Sequence, residues 1–272
     1  MKRFCCGLVI VLLAFNVFAW NAIGHQMVAA IAYQQLDKQA KTKVGRYLAA
    51  TNKVYRPLGF VESSTWLDTI RYKDINWYDK LHYINIPFTR DGTPLPAVPD
   101  MNVVWGVQQS ISILKSRYTN SFDKGMALRI LIHIMGDLHQ PLHTVSLVSH
   151  NIPNGDKGGN MYYINALPLA NNLHKYWDSG AGYLVKRPPT SKASVKTLSK
   201  QLAAAYPCQK EQVISVSSWV AESNQLARTV AYAIPEGEKP SMQYQLTAQS
   251  LTRQRIALAG CRLAAVLNEV FS

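Results

Sequence analysis

The sequence predicts an all-α fold, and three observations carry that expectation. Seven stretches place apolar residues at the spacing of one helical face, strand-like alternation is weak throughout, and the segments richest in proline and glycine lie between the helical stretches. In chain order the spacing predicts helices over 23–36, 40–50, 103–118, 124–138, 191–206, 217–233 and 242–271. In the last of these, Leu258, Ala259, Leu263, Ala264, Val266 and Leu267 form a stripe suited to packing. Its basic residues Arg253, Arg255 and Arg262 suggest no chemistry. The best strand candidate is Met161 to Asn165, after Gly158 and Gly159, with Leu167 to Ala170 as a partner in a short hairpin. Pro87 to Pro99 and Ile152 to Asn160 read as long surface loops, which often carry function.

The first nineteen residues read differently. Lys2 and Arg3 precede an apolar run through Phe18, and Val17 and Ala19 stand three and one residues before Trp20, the pattern of a cleaved secretory signal peptide. The run is shorter than the roughly 20 apolar residues that cross a bilayer. Residues 1–19 are therefore expected to be removed and 20–272 to form one exported domain, secreted or periplasmic, with no stable membrane anchor. Cleavage discards Cys5 and Cys6, leaving Cys208 and Cys261 as candidates for one disulfide in an oxidising compartment. It also takes the formal charge from +13 to +11 through loss of Lys2 and Arg3. A charge of that sign makes nucleic acid or anionic lipid a credible partner, although a merely soluble basic protein would look the same.

The most informative stretch is Ile130 to His143, I-L-I-H-I-M-G-D-L-H-Q-P-L-H. His133 and Asp137 lie four residues apart in an apolar helix and share one face, where burial without partners is costly and a metal ion supplies one. The pair alone could equally be a core hydrogen bond. Pro141 should end the helix and free His143 to face another ion, while His139 points away, as a supporting or surface residue. The same spacing recurs in N-L-H-K-Y-W-D, at His174 and Asp178. His82 in L-H-Y-I-N follows Asp68 in W-L-D-T-I-R, and His25 closes W-N-A-I-G-H, which begins at the expected mature terminus. Five of seven histidines thus stand in motif-like settings, with His150 left in a loop.

This ordered set, together with G-G-N at 158–160 and L-A-G-C-R-L-A-A-V-L-N at 258–268, closely resembles the S1/P1 nuclease family over nearly the whole mature chain. The resemblance implies a single-domain helical bundle of the phospholipase C/P1 nuclease type and three zinc ions. One ion would be held by His143, His174 and Asp178, and a second by Asp68, His82 and His133, also touching Asp137. The third would use His25, Asp137 and the free amine and carbonyl oxygen of Trp20. Zinc accepts such nitrogen and oxygen ligands, and an α-amine of ordinary pKa about 7.7 to 8.0 can yield its proton to a metal near neutrality.

The activity implied is endonucleolytic hydrolysis of single-stranded DNA or RNA to 5′-phosphate products, with 3′-nucleotidase activity and no protein partner. Arg71 matches the family's arginine and would neutralise charge on the phosphate; a surface ion pair is the plainer alternative. Tyr83 would stack on an unpaired base or else pack the core, and Asn160 would shape the cleft, unless its two glycines merely form a turn. Phe88, in I-P-F-T, departs from the family pattern and leaves substrate positioning open. The rivals are a zinc phospholipase C, disfavoured by the place of His25 and by Asp178, and a non-catalytic zinc or nucleic-acid-binding protein, disfavoured by nine candidate ligands.

Overall fold

The computed structural model describes residues 20–71, 75–185, 192–209 and 215–272, so the expected signal peptide lies outside the described residues. Among these residues there are ten α-helices: α1 (Ala22–Gln35), α2 (Lys38–Thr51), α3 (Phe60–Ser63), α4 (Trp66–Arg71), α5 (Val103–Lys115), α6 (Ser121–Leu138), α7 (Leu173–Asp178), α8 (Lys192–Ala205), α9 (Val216–Thr229) and α10 (Met242–Phe271). The all-α expectation holds.

Several helices begin where a short polar side chain takes over the unpaired amides of the first turn. Asn21 accepts from the Ile23 and Gly24 amides, Asp37 from Ala40, Asn120 from Asp123 and Ser241 from Tyr244. α5 stops at Lys115, short of the expected Tyr118, because Ser116 is extended. α9 ends at Thr229, and Ala231–Ala233 forms a separate 3-10 turn, anchored where the Tyr232 hydroxyl donates to buried Asp156.

α1, α6 and α10 meet in the centre. α1 packs along α10, with Ile31 against Gly260, where a Cβ would come within 2.7 Å of the isoleucine. Leu128, Leu131 and Ile132 of α6 are completely buried in this core. Truncating either leucine to Ala should cost about 2–5 kcal/mol. A smaller apolar cluster joins Phe88, Leu142, Tyr162, Trp177 and Tyr232. Phe88 therefore packs in a core, edge-on to Tyr232 at 5.2 Å between ring centroids.

The hairpin is present with shifted bounds: Tyr163–Ala166 pairs antiparallel with Ala170–Asn172. A second pairing escaped the sequence. Pro87–Thr89, the start of an expected loop, pairs parallel with Ser146–Val148 just beyond His143. Cys208 and Cys261 form a disulfide that ties the segment after α8 to α10. No helix among the described residues is long and apolar enough to cross a membrane.

Candidate metal centre

α6 supplies the middle of the site. His133 and Asp137, one turn apart, face a space that α1 enters with His25, α4 with Asp68 and the 3-10 turn Asp79–His82 with His82. The 3-10 turn Pro141–Thr144 brings His143 to His174 and Asp178 of α7. The ligand atoms of three groups lie within 4.8 Å of one another: His25, His133 and Asp137; Asp68, His82 and His133; and His143, His174 and Asp178. The eight side chains expected to bind metal are all brought together, and all are buried.

Asp137 is the junction. Its Oδ1 lies 3.3 Å from His25 Nε2, and its Oδ2 lies 3.0 Å from His82 Nδ1 and 3.3 Å from His133 Nε2. No hydrogen bond reaches either Asp137 oxygen, either His25 nitrogen or Asp68 Oδ1. Buried polar atoms are nearly always partnered, and a buried carboxylate whose only close neighbours are imidazole nitrogens needs positive charge beside it. Cations seated between these atoms would satisfy both Asp137 oxygens, Asp68 Oδ1 and Nε2 of His25, which faces Asp137, so the residues present fit a metal cluster.

The ring orientations fit as well. His133 Nδ1 faces the Ser64 carbonyl at 2.6 Å, His143 Nδ1 the His82 carbonyl at 2.6 Å and His174 Nδ1 the Gly158 carbonyl at 2.7 Å. A nitrogen facing a carbonyl must carry the proton, which leaves the Nε2 lone pair available to a metal. Nε2 of His133 points at Asp68 and Asp137, and Nε2 of His174 lies 3.5 Å from Asp178 Oδ2. Burial, with His174 adding, drives His143 down to about 3 against the pull of Asp137, so its imidazole is neutral. Burial lowers His133 too, but Asp137 and Asp68 outweigh it and push it up to about 9, so with no cation between them Nε2 carries a proton toward these carboxylates that a bound metal would displace. Burial raises Asp178 well above the usual carboxylate range, with Asp137 and Asp68 adding to it, although Gln140 donates to its Oδ1 at 2.7 Å.

Two glycines permit these approaches. A Cβ on Gly136 would lie 2.8 Å from His25 Nδ1, so its absence lets the His25 ring lie against α6, where it stacks on His133 at 4.0 Å. Gly158 has φ +66°, and a Cβ there would collide with the Leu142 carbonyl oxygen. The glycine pair does form a turn, and that turn presents the carbonyl which orients His174.

Trp20 is completely buried, and the Asn21 amide donates to the Asp178 carbonyl at 3.0 Å, which holds the start of the described chain against α7. Arg71 forms the ion pair that was the plainer reading, with Nε 2.9 Å from Asp79 Oδ1. Tyr83 is part-buried beside it: burial raises its hydroxyl, Asp79 raises it further, and Arg71 opposes. Asn160 donates its amide to the Lys157 carbonyl at 2.8 Å within its own turn. His139 is fully buried rather than at the surface, and His150 is exposed and paired with Asp91.

Beside the cluster lies a cavity of about 800 Å³ whose walls include Asp68, Asp178, Ile23, Pro168, Leu169 and Leu184. Arg71, Tyr83 and Asn160 are not among its lining residues. The aliphatic wall had no signal in the sequence, because it assembles from α1, the hairpin turn and the segment after α7. Gln140 did have one, its place inside the metal motif.

Comparison with known proteins agrees with this geometry. The family model described as S1/P1 Nuclease matches residues 20–272. Endonuclease 2 of Arabidopsis thaliana is 28% identical, over 94% of this chain and 92% of its own length. Nuclease S1 of Aspergillus oryzae is 26% identical, over 96% of this chain and 94% of its own, and Nuclease P1 of Penicillium citrinum is 26% identical, over 92% and 97%. With a match running through every buried histidine and aspartate of the cluster, the chain belongs to the S1/P1 nuclease family.

Proposed function

We propose that the mature chain, beginning at Trp20, is an exported zinc-dependent nuclease that hydrolyses phosphodiester bonds of single-stranded DNA and RNA to 5′-phosphate products and also acts as a 3′-nucleotidase. The observation that carries this reading is the convergence of three His/Asp groups on one buried carboxylate, Asp137, whose oxygens have no hydrogen-bond partner. The family's relatives named as nucleases support it. So does the start of the family match at Trp20, the residue that signal cleavage would expose. The localisation is secretion or the periplasm.

Three zinc ions are assigned as follows: one to His143, His174 and Asp178; one to Asp68, His82 and His133 with contact to Asp137; and one to His25, Asp137 and the main-chain amine and carbonyl of Trp20. Bound zinc supplies Lewis acidity and lowers the pKa of water, as in other metallohydrolases. The chain's own residues do the rest. Gln140 holds Asp178, and the Ser64, His82 and Gly158 carbonyls hold three imidazoles in their ligand tautomer. Arg71, kept in place by Asp79, offers its guanidinium to the phosphate, and Tyr83 beside it offers a ring to an unpaired base. The aliphatic wall at Leu169 and Leu184 takes the apolar face of a nucleoside by burial alone, which suits a substrate of mixed sequence. Asn160 acts through the Gly158 turn that its side chain braces.

Metal analysis and hydrolysis by two purified forms test the reading. Protein starting at Trp20 should hold about three zinc ions and degrade single-stranded DNA and RNA faster than duplex. A form retaining Ala19 should lose one ion and the activity. Equal metal and activity in the two forms would refute the amino-terminal ligand, and hydrolysis of phosphatidylcholine vesicles with none of nucleic acid would refute the nuclease.

A further inference from the structure

We propose that buried Arg255, Arg262, Ser223 and His139, with part-exposed Glu222 pairing the two arginines, form a positioning device that sets the C-terminal end of α6, and through it the geometry of Asp137, His143 and Asp178. None of the five touches the space between the metal-binding atoms, so they act through the ligands. The inference rests on the metal-dependent reading above.

The last four carbonyls of a helix have no partner within it, and at a buried helix end something else must supply donors. α6 ends in the interior, and its four are all accounted for. The Met135 carbonyl accepts from His139 Nδ1 at 2.7 Å, Gly136 from the His139 amide at 3.1 Å, Asp137 from the Gln140 amide at 2.9 Å and Leu138 from Ser223 Oγ at 2.7 Å. Arg255 Nε then donates to the His139 carbonyl, at 3.3 Å. Arg262 donates to His139 Nε2 at 3.1 Å. A guanidinium only donates, so Nε2 is the acceptor and Nδ1 carries the ring proton that reaches Met135. Removing Arg262 would therefore free the tautomer of the residue that caps the helix.

Both arginines converge on Glu222, Arg262 through two bonds of 2.7 and 2.8 Å and Arg255 through one of 3.1 Å. Arg255 also donates to Ser223 Oγ at 2.7 Å, and Arg262 lies over the Trp219 ring at 5.2 Å. Burying charge in this way is weak as a source of stability, since well-packed apolar side chains do as well or better. What it provides here is direction: each bond fixes a named carbonyl or ring atom at one end of α6.

The link to the site is short. Gln140, next in the chain, donates to Asp178 and accepts from the Leu142 amide at 2.6 Å, directing the turn that carries His143. Beyond that turn, Asn224 of α9 donates to the Thr144 carbonyl at 2.8 Å. Adjacent residues of α9, Ser223 and Asn224, thus grip the chain on either side of the Gln140–His143 segment.

The experiment uses the full mature enzyme with Ser223→Ala, Arg262→Met and, as a control from the apolar side of α10, Leu263→Ala. Zinc affinity is read by competition with a chromophoric chelator, alongside Tm and the kcat and KM for single-stranded DNA, well below the lowest Tm. Ser223→Ala and Arg262→Met should weaken binding of at least one zinc by about tenfold or more, as loss of groups supporting metal ligands does elsewhere, and should lower kcat more than they raise KM. Leu263→Ala should lower Tm without changing zinc affinity or kcat. Should Arg262→Met fail to fold, Ser223→Ala, which removes one oxygen, decides the matter. Wild-type zinc affinity and kcat in variants whose Tm alone falls would overturn the proposal. Wild-type enzyme that bound no zinc would instead sink the functional reading beneath it.

Discussion

Gly136 offers a test of the metal centre that leaves every candidate ligand residue in place. A Cβ added there would sit 2.8 Å from His25 Nδ1 and 3.0 Å from its Cε1. An ordinary contact needs about 3.5 Å, so the His25 ring must retreat by about 0.7 Å. It has little room, being fully buried and already stacked on His133 at 4.0 Å. Metal–ligand distances tolerate about 0.2 Å, so a ring displaced by several times that no longer shares an ion with Asp137 in unstrained geometry. Gly136→Ala should therefore cost about 1–3 kcal/mol of stability by overpacking, and weaken zinc at the His25–Asp137 position by about 10- to 100-fold. Zinc content after dialysis against graded chelator, with kcat on single-stranded DNA, measures it. A Gly136→Ala enzyme with full zinc and wild-type kcat would show that His25 and Asp137 do not hold an ion in the geometry described.

The carbonyls that orient the imidazoles predict an asymmetry. Ser64→Ala leaves its backbone carbonyl on His133 and loses only the hydroxyl bond to Val61, about 1 kcal/mol, so zinc content should not change. Gly158→Ala strains a positive φ and meets the Leu142 carbonyl, so zinc bound through His174 should fall, and equal zinc in the two variants would contradict the assignment. The disulfide closes a separation of 53 residues, for which the chain-entropy relation gives about 4 kcal/mol. Replacing both cysteines with Ala should lower the urea midpoint accordingly while leaving kcat in buffer unchanged; an unmoved midpoint would refute this. Burial raises Glu222, but Arg262 and Arg255 outweigh it and hold the carboxyl below its ordinary value. A depressed folded pKa contributes stability above the ordinary value, about 4.3, and loses it as pH falls through the folded one. The Tm gap between wild type and Glu222→Gln should thus be constant from pH 8 to about 5 and shrink below about 4.3, and a gap persisting undiminished at pH 3 would count against the pairing.

How much of this was legible in the sequence depended on distance along the chain. The long helices were visible because their apolar periodicity is local, and only their ends shifted, where a cap such as Asn120 or an extended Ser116 decides. The pairs His133 with Asp137 and His174 with Asp178 were visible for the same reason, each lying one turn apart. That His25, Asp68 and His82 join them is a fact of tertiary packing, and only the order of motifs pointed to it. α3, α4 and the parallel pairing of Pro87–Thr89 with Ser146–Val148 are too short to carry a period.

The least legible features are those in which the backbone acts. Three imidazoles of the cluster take their tautomer from the carbonyls of Ser64, His82 and Gly158, and a carbonyl looks the same whatever side chain it belongs to. In the sequence Arg255 and Arg262 look like ordinary basic residues of a packing helix, because helical spacing shows which face is apolar, not which cations that face can bury. Their burial requires Glu222 and Ser223 on α9 and the exposed carbonyls at the end of α6, all remote in sequence. A metal site can therefore announce its ligands in sequence while concealing what aims them. The ligands must be a few special residue types, whereas the groups that aim them need only donate or accept a hydrogen bond, which any backbone and many side chains can do.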